Sequence, residues 1–205
     1  MYKGLEPNGG VCMRRFEYGR IRSLSWDMDI LSLIAGIYRS NGKEEVLLSQ
    51  SPAILYSLVE LAKVQSTEAS NAIEGIVTTS TRLRQLVADK TTPRNRDEQE
   101  IMGYRDALNI IHDSYDSITL SRNHILQLHK ILYQYQFNAR GGQLKSVQNY
   151  ISATYPDGHT EVLFTPLAPY ETAEALDQIC VEYNRVVGNG EVEPLLAIPI
   201  FIHDF

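Results

Sequence analysis

Val147-Gln-Asn-Tyr-Ile-Ser-Ala-Thr-Tyr155, then Pro156-Asp-Gly158, then Glu161-Val-Leu-Phe-Thr165 is the stretch that decides the fold class. Both runs are rich in β-branched and aromatic residues, and the Pro-Asp-Gly between them supplies a turn, so the stretch predicts a β-hairpin. Pro166 and Pro169 stop it. Elsewhere the apolar residues recur at helical spacing, which predicts a mainly α fold with one hairpin set among helices. A two-stranded hairpin is marginal alone, so this one is expected to pack on the helices. An edge left open suits a peptide joining as an extra strand; a structural hairpin with no ligand fits the pattern equally well.

Toward the C-terminus, Thr172 to Val187 is helical through Leu176, Ile179, Cys180 and Tyr183, and Gly188-Asn-Gly190 makes a turn. A last helix starts at Pro194. It runs to Phe205 without a Gly or Asn cap, so the chain is expected to be the front part of something longer. Its Leu195, Leu196, Ile198, Ile200 and Ile202 are expected to seek cover through self-association or a partner.

Toward the N-terminus, Ser121 caps a helix carrying Ile125, Leu128, Ile131 and Leu132. Asp97 to Asp113 forms another, with Ile101, Tyr104, Leu108 and Ile111 on one face and Asp97, Glu98 and Glu100 at its positive end. Thr91-Thr92-Pro93 links it to a short helix begun by Thr78-Thr79-Ser80 and carrying Leu83, Leu86 and Val87. Ser51-Pro52 opens a helix with Ile54, Leu55, Leu58, Leu61, Ala62 and Gln65 as its stripe, followed by small polar residues over 66–76. The first helix starts at Ser25, carries Trp26, Ile30, Leu33, Ile34 and Ile37, and is expected to end in a turn at Asn41-Gly42. Residues 1–20 are Gly-rich and irregular, with Tyr2, Phe16 and Tyr18 free to dock on a surface.

A length of 205 residues, 43% hydrophobic and 21% charged, suits one ordinary globular domain, or one domain plus a small N-terminal extension. Nineteen Lys and Arg against 25 Asp and Glu leave a net charge of −6, which argues against a nucleic-acid surface spread over the chain. The local basic set Arg82, Arg84, Lys90, Arg94 and Arg96 is expected to be a solvated loop face, with phosphate contact as the lesser alternative. Cys12 and Cys180 form neither a disulfide framework nor a metal pattern, which predicts a reducing cytoplasm. Pro199 interrupts the longest apolar run, far short of the ~20 residues a membrane helix needs.

The five histidines, His112, His124, His129, His159 and His203, make no i, i+4 pair or Cys/His cluster, so no metal site is predicted. Gly9-Gly10 and Gly141-Gly142 are too short to cradle phosphates. No nucleophile has a base partner nearby in sequence, and no catalytic residue is assigned. Ser70-Asn-Ala-Ile-Glu-Gly75 places Ser70 and Glu74 on one face if the segment is helical. By itself this reads as well as a surface Ser and a helix-end Glu before a terminating Gly75.

These elements in combination resemble the Fic (Fido) family of nucleotidyl transferases, in the class that carries an inhibitory helix ahead of the core. Ser70-Asn-Ala-Ile-Glu-Gly75 is similar to that class's [Ser/Thr]-x-x-x-Glu-[Gly/Asn] motif. Gly142-Gln-Leu-Lys-Ser-Val-Gln-Asn-Tyr-Ile151 is similar to the family's flap strand, with Lys145 where Arg is usual and Tyr150 where Trp is common. Phe164-Thr-Pro166 resembles the returning strand, and Leu196 to Phe205 the helix that delivers the H-P-F-x-x-G-N-G-R signature, which this sequence does not contain.

The resemblance covers roughly residues 50–205. It implies a Fic-like helical bundle with a hairpin flap, divided as an N-terminal extension with one helix over 1–50, the inhibitory region over 51–92 and the front of the core over 93–205. It implies transfer of AMP from ATP, with Mg²⁺, to a target Ser, Thr or Tyr hydroxyl by the complete protein, this chain alone being inactive. Ser70, Glu74 and Gly75 would be the inhibitory set, Glu74 pairing with the second signature Arg. Lys145, Gln148, Asn149, Tyr150, Ile151 and Phe164 would dock a protein substrate by strand addition. The alternative is a non-catalytic helical protein-interaction module.

Overall fold

Local signals place most helix starts. Thr79 Oγ1 accepts the amide of Arg82 at 3.3 Å, Asn95 Oδ1 that of Glu98 at 2.9 Å and Ser121 Oγ that of His124 at 3.3 Å. In the computed structural model, which describes residues 16–137 and 140–205, these caps open α3 (Ser80–Val87), α4 (Arg96–Ser114) and α5 (Arg122–Leu132). Ahead of them lie α1 (Met28–Gln50) and α2 (Pro52–Ile73), the latter with Pro52 at its first position. The described residues are mainly helical, with one antiparallel pair of strands, β1 (Ile151–Thr154) and β2 (Thr160–Phe164), before α6 (Pro169–Gly188) and α7 (Pro194–Asp204). Tyr2, Gly9-Gly10 and Cys12 lie outside the described residues.

One expectation about α1 is corrected. Asn41-Gly42 does not end the first helix, which runs on to Gln50. Gly costs only about 1 kcal/mol inside a helix, and the residues after it keep a helical pattern. The small polar residues 66–73 belong to α2, which continues through them to Ile73. Their small side chains suit a helix that packs closely.

The chain divides into two compact units, Ser25–Lys145 and, separately, residues up to Leu24 with Ser146–Phe205. In the first, Leu83, Leu86, Ile101 and Met102 form the core, with Val64, Ile76, Val87 and Tyr135 against it. α4 crosses α5 at Gly103, where an added Cβ would lie 2.0 Å from the Leu132 carbonyl oxygen. Only glycine admits that approach.

Charge is buried beside this core. Arg82 is 8% exposed and Glu98 5%. Arg82 donates Nε and Nη2 to the two Glu98 oxygens at 2.8 Å each, and its remaining donors reach the Thr91 hydroxyl and the Thr92 carbonyl. The Arg94 amide adds a third bond to Glu98 at 2.7 Å. The Arg82 guanidinium, with the Arg94 amide, holds the Glu98 carboxyl down to about 2. Arg82 is therefore no part of a solvated face; Arg84, Lys90, Arg94 and Arg96 are exposed, and Arg96 pairs with Glu100 at 2.9 Å.

A second knot centres on buried Arg105, which donates to the Leu86 carbonyl at 2.6 Å, to Asp89 at 2.9 Å and to Asp106 at 2.7 Å. Asp106 also accepts the Tyr135 hydroxyl and the Gln134 amide, each at 2.6 Å. Burial and the Asp106 bond push the Tyr135 hydroxyl above its ordinary range.

In the second unit, Leu176, Ile179, Cys180 and Val186 of α6 and Ala197 and Phe201 of α7 bury with Phe16, Tyr18 and Ile21. Phe201 meets the Tyr183 ring edge-on at 5.5 Å. Phe16 and Tyr18 thus dock into this core. On α7, Leu195, Leu196 and Ile200 are half-buried, while Ile198, Ile202 and Phe205 are exposed.

Candidate functional site

The end of α2 is built by its own backbone. The Gly75 amide bonds the Ala72 carbonyl at 3.0 Å and the Ile76 amide bonds the Asn71 carbonyl at 2.9 Å. With Gly75 at φ +75, this is a Schellman stop, and a side chain at 75 would strain it. Glu74 is the cap residue; its side chain is exposed and has no partner among the described residues.

One turn back, the helix is held by polar groups. Thr67 is fully buried and its hydroxyl donates to the Lys63 carbonyl at 2.7 Å. Buried Asn71 donates to the Thr67 carbonyl at 2.8 Å. Half-buried Ser70 accepts the Tyr104 hydroxyl of α4 at 2.9 Å, with Ser66 3.5 Å from the same oxygen. The inhibitory set of the sequence reading is therefore contiguous at the α2 end, with Ser70 anchored to α4 and Glu74 facing water.

The hairpin is placed differently from expectation. Ile151 pairs with Phe164, Ser152 with Val162, Ala153 with Glu161 and Thr154 with Thr160, with an irregularity between Ile151 and Ser152. Gln148, Asn149 and Tyr150 precede β1 instead of lying on it. Pro166 has no amide to extend the ladder, and the Gln148 side chain takes its carbonyl at 2.9 Å. Every strand residue except half-buried Ala153 is exposed, which corrects the expectation that helices cover the hairpin.

Its own contacts hold it. Gly158 turns the chain, the Tyr155 amide bonds the His159 carbonyl at 2.9 Å, and the two rings stack at 6.0 Å. Tyr155 also donates its hydroxyl to Glu161 at 3.1 Å, and the Thr154 and Thr160 hydroxyls meet at 3.2 Å. Tyr150, Ile151, Val162, Leu163 and Phe164 leave apolar groups in water. Lys145, half-buried, belongs to the first unit, not to the hairpin's.

Among the described residues no group of three His, Cys, Asp or Glu could hold a metal ion. Gly141 and Gly142 pack tightly on Tyr133 and Lys130 of the α5 end, and His129 Nδ1 accepts the Gly142 amide at 3.1 Å, so this pair closes a turn. Cys180 is free and buried, and burial raises its thiol above the ordinary range. No helix among the described residues is long and apolar enough to cross a membrane.

Sequence reasoning missed Tyr104 as a site residue. Its position on the apolar face of α4 was evident, and its hydroxyl was the available signal: a buried Tyr seeks a polar partner. Thr67 and Asn71 were lost among small polar residues. No protein-family model matches the chain, and no curated protein is similar to it.

Proposed function

We propose that this chain supplies the inhibitory helix and the target-docking hairpin of a Fic-like protein adenylyltransferase. The observation that carries the proposal is the end of α2. Ser70 is tied to Tyr104 of α4 at 2.9 Å, and Glu74, four residues on, offers an exposed carboxylate with no partner among the described residues. A held helix with one unpaired carboxylate at its tip suits an intrasteric plug for a catalytic arginine. A charge-assisted carboxylate–arginine pair is worth on the order of 1.5–3 kcal/mol.

The hairpin supports the docking half. Its exposed Tyr150, Ile151 and Phe164 lie beside strand edges with no neighbouring strand among the described residues, which suits an extended target segment of a protein. A second proposal, a non-catalytic helical interaction module, is favoured by the apolar side chains that α1 and α2 expose.

The coding sequence past Phe205 discriminates between the two. An in-frame H-P-F-x-x-G-N-G-R run supports the transferase; a stop codon there overturns it in favour of the interaction module. In a chain carrying that run, Glu74→Gly is expected to raise AMP incorporation roughly ten- to a hundredfold at equal folded concentration. Equal rates would remove the inhibitory role of Glu74.

A further inference from the structure

We propose that α1 is a self-association surface, on which two copies of this chain pair their first helices antiparallel about a two-fold axis near Gly36. Ile30 to Tyr38 carries no charge, and Ile30, Leu33 and Ile37 recur at the three- and four-residue spacing of a coiled-helix seam. Leu33 is 68% exposed and Ile37 53%. Monomeric proteins rarely leave such a stripe in water.

The charges select a second copy as the occupant. Asp29 and Lys43 are fourteen residues apart, four turns of a coiled helix, so they share one flank of the seam. Neither side chain has a partner among the described residues. In an antiparallel pair that sets Leu33 against the second copy's Ile37, the apolar register centres on residue 35. The register that sets Asp29 beside the second copy's Lys43 centres on residue 36. Moving the centre by one residue slides the second helix by two residues, ~3 Å, a gap the long Lys43 side chain spans, so a single docking satisfies both, and symmetry makes each contact twice.

Gly36 falls on the same flank at the axis, and an added Cβ there would meet nothing within 4 Å. The two backbones can therefore come close. A parallel pairing brings no opposite charges together on this flank, so the arrangement of Asp29 and Lys43 also sets the direction.

Sedimentation velocity and light scattering on the full 205-residue chain, over a concentration series, test this. The expected result is a concentration-dependent species of twice the chain mass. Leu33→Glu and Ile37→Glu each abolish it with the helical circular dichroism unchanged, while Ile202→Glu on α7 leaves it intact. Asp29→Lys sets like charges side by side and raises the dissociation constant about tenfold. Adding Lys43→Asp to Asp29→Lys returns it to within about threefold of the parent chain. A monomer at every concentration overturns the proposal. So does an oligomer that survives Leu33→Glu, or a double charge exchange that fails to recover association.

Discussion

Residues 80–106 and residues 147–166 use charge and apolar surface in opposite ways. Between α3 and α4, Arg82, Glu98 and Arg105 are inside, while along the hairpin Ile151, Val162, Leu163 and Phe164 are outside. The first region can bury charge because every charged head is answered: Arg82 by Glu98, Thr91 and Thr92, and Arg105 by Leu86, Asp89 and Asp106. A paired and fully hydrogen-bonded ion escapes most of the cost of leaving water. The hairpin can expose apolar groups because its order comes from the ladder, the Tyr155–His159 stack and the Thr154–Thr160 contact, not from a covering layer. Residue type states a preference, and the partners decide burial.

Gly103→Ala is the harshest way to break the helical side of this comparison. The new methyl would meet the Leu132 carbonyl at 2.0 Å, backbone that cannot step aside without moving α5. We expect a loss of about 3 kcal/mol, read as the shift in urea midpoint at constant slope. A change under about 0.5 kcal/mol, within the surface range, would mean that α4 and α5 are not in that contact.

The Glu98 carboxyl provides the next effect, with a defined pH signature. Its folded value of about 2 lies below the ordinary 4.5, so ionised Glu98 stabilises the fold above pH 4.5. That contribution is lost as pH falls from about 4.5 through about 2, because the unfolded chain takes up the proton first. Denaturant midpoints at neutral pH and across that window should decline for the parent chain. Glu98→Gln should begin less stable at neutral pH and decline less; parallel declines would place Glu98 outside the buried knot.

A smaller effect is expected where the α2 end meets α4. Tyr104→Phe removes the hydroxyl that donates to Ser70 and should cost about 1 kcal/mol. Hydrogen exchange should quicken over residues 66–76 more than over α5. Uniform quickening would show that Tyr104 supports the whole unit and does not anchor this helix end.

The hairpin is expected to respond least. Val162→Thr with Leu163→Thr places a β-branched Thr at both positions, exchanges exposed apolar groups for hydroxyls that water can solvate, and should change stability by no more than about 0.5 kcal/mol. A loss near that of Gly103→Ala would mean that another surface covers this hairpin, and the contrast between the two regions would fail.

Much of the candidate site was legible, and the gaps are specific. Gly75 was read as a terminator, and its φ of +75 makes it one. Ser70 and Glu74 were read as sharing a face, yet what holds Ser70 is a hydroxyl 34 residues away. The residues of Pro156-Asp-Gly158 mark the hairpin turn, but β1 is shorter than the run Val147–Tyr155, and β2 lies one residue nearer the turn than Glu161–Thr165. Pro166 ends the ladder on one side, and Gln148 turns a side chain to it on the other.

The sequence by itself determined where helices begin and where the chain turns. Thr79, Ser121, Pro52 and Pro194 open helices, and Gly75, Gly158 and Gly190 turn at positive φ. These signals act within a few residues, through one side-chain bond to a nearby amide or through restricted backbone angles. Only the tertiary structure decided that α1 runs through Asn41-Gly42, that Arg82 is buried, that Gly103 marks a helix crossing and that the hairpin stands uncovered. The burial of Arg82 and the crossing at Gly103 turn on what lies opposite. For Arg82 it is Glu98, sixteen residues on, and for Gly103 it is Leu132, twenty-nine residues on. Local propensity carries no record of such distant partners.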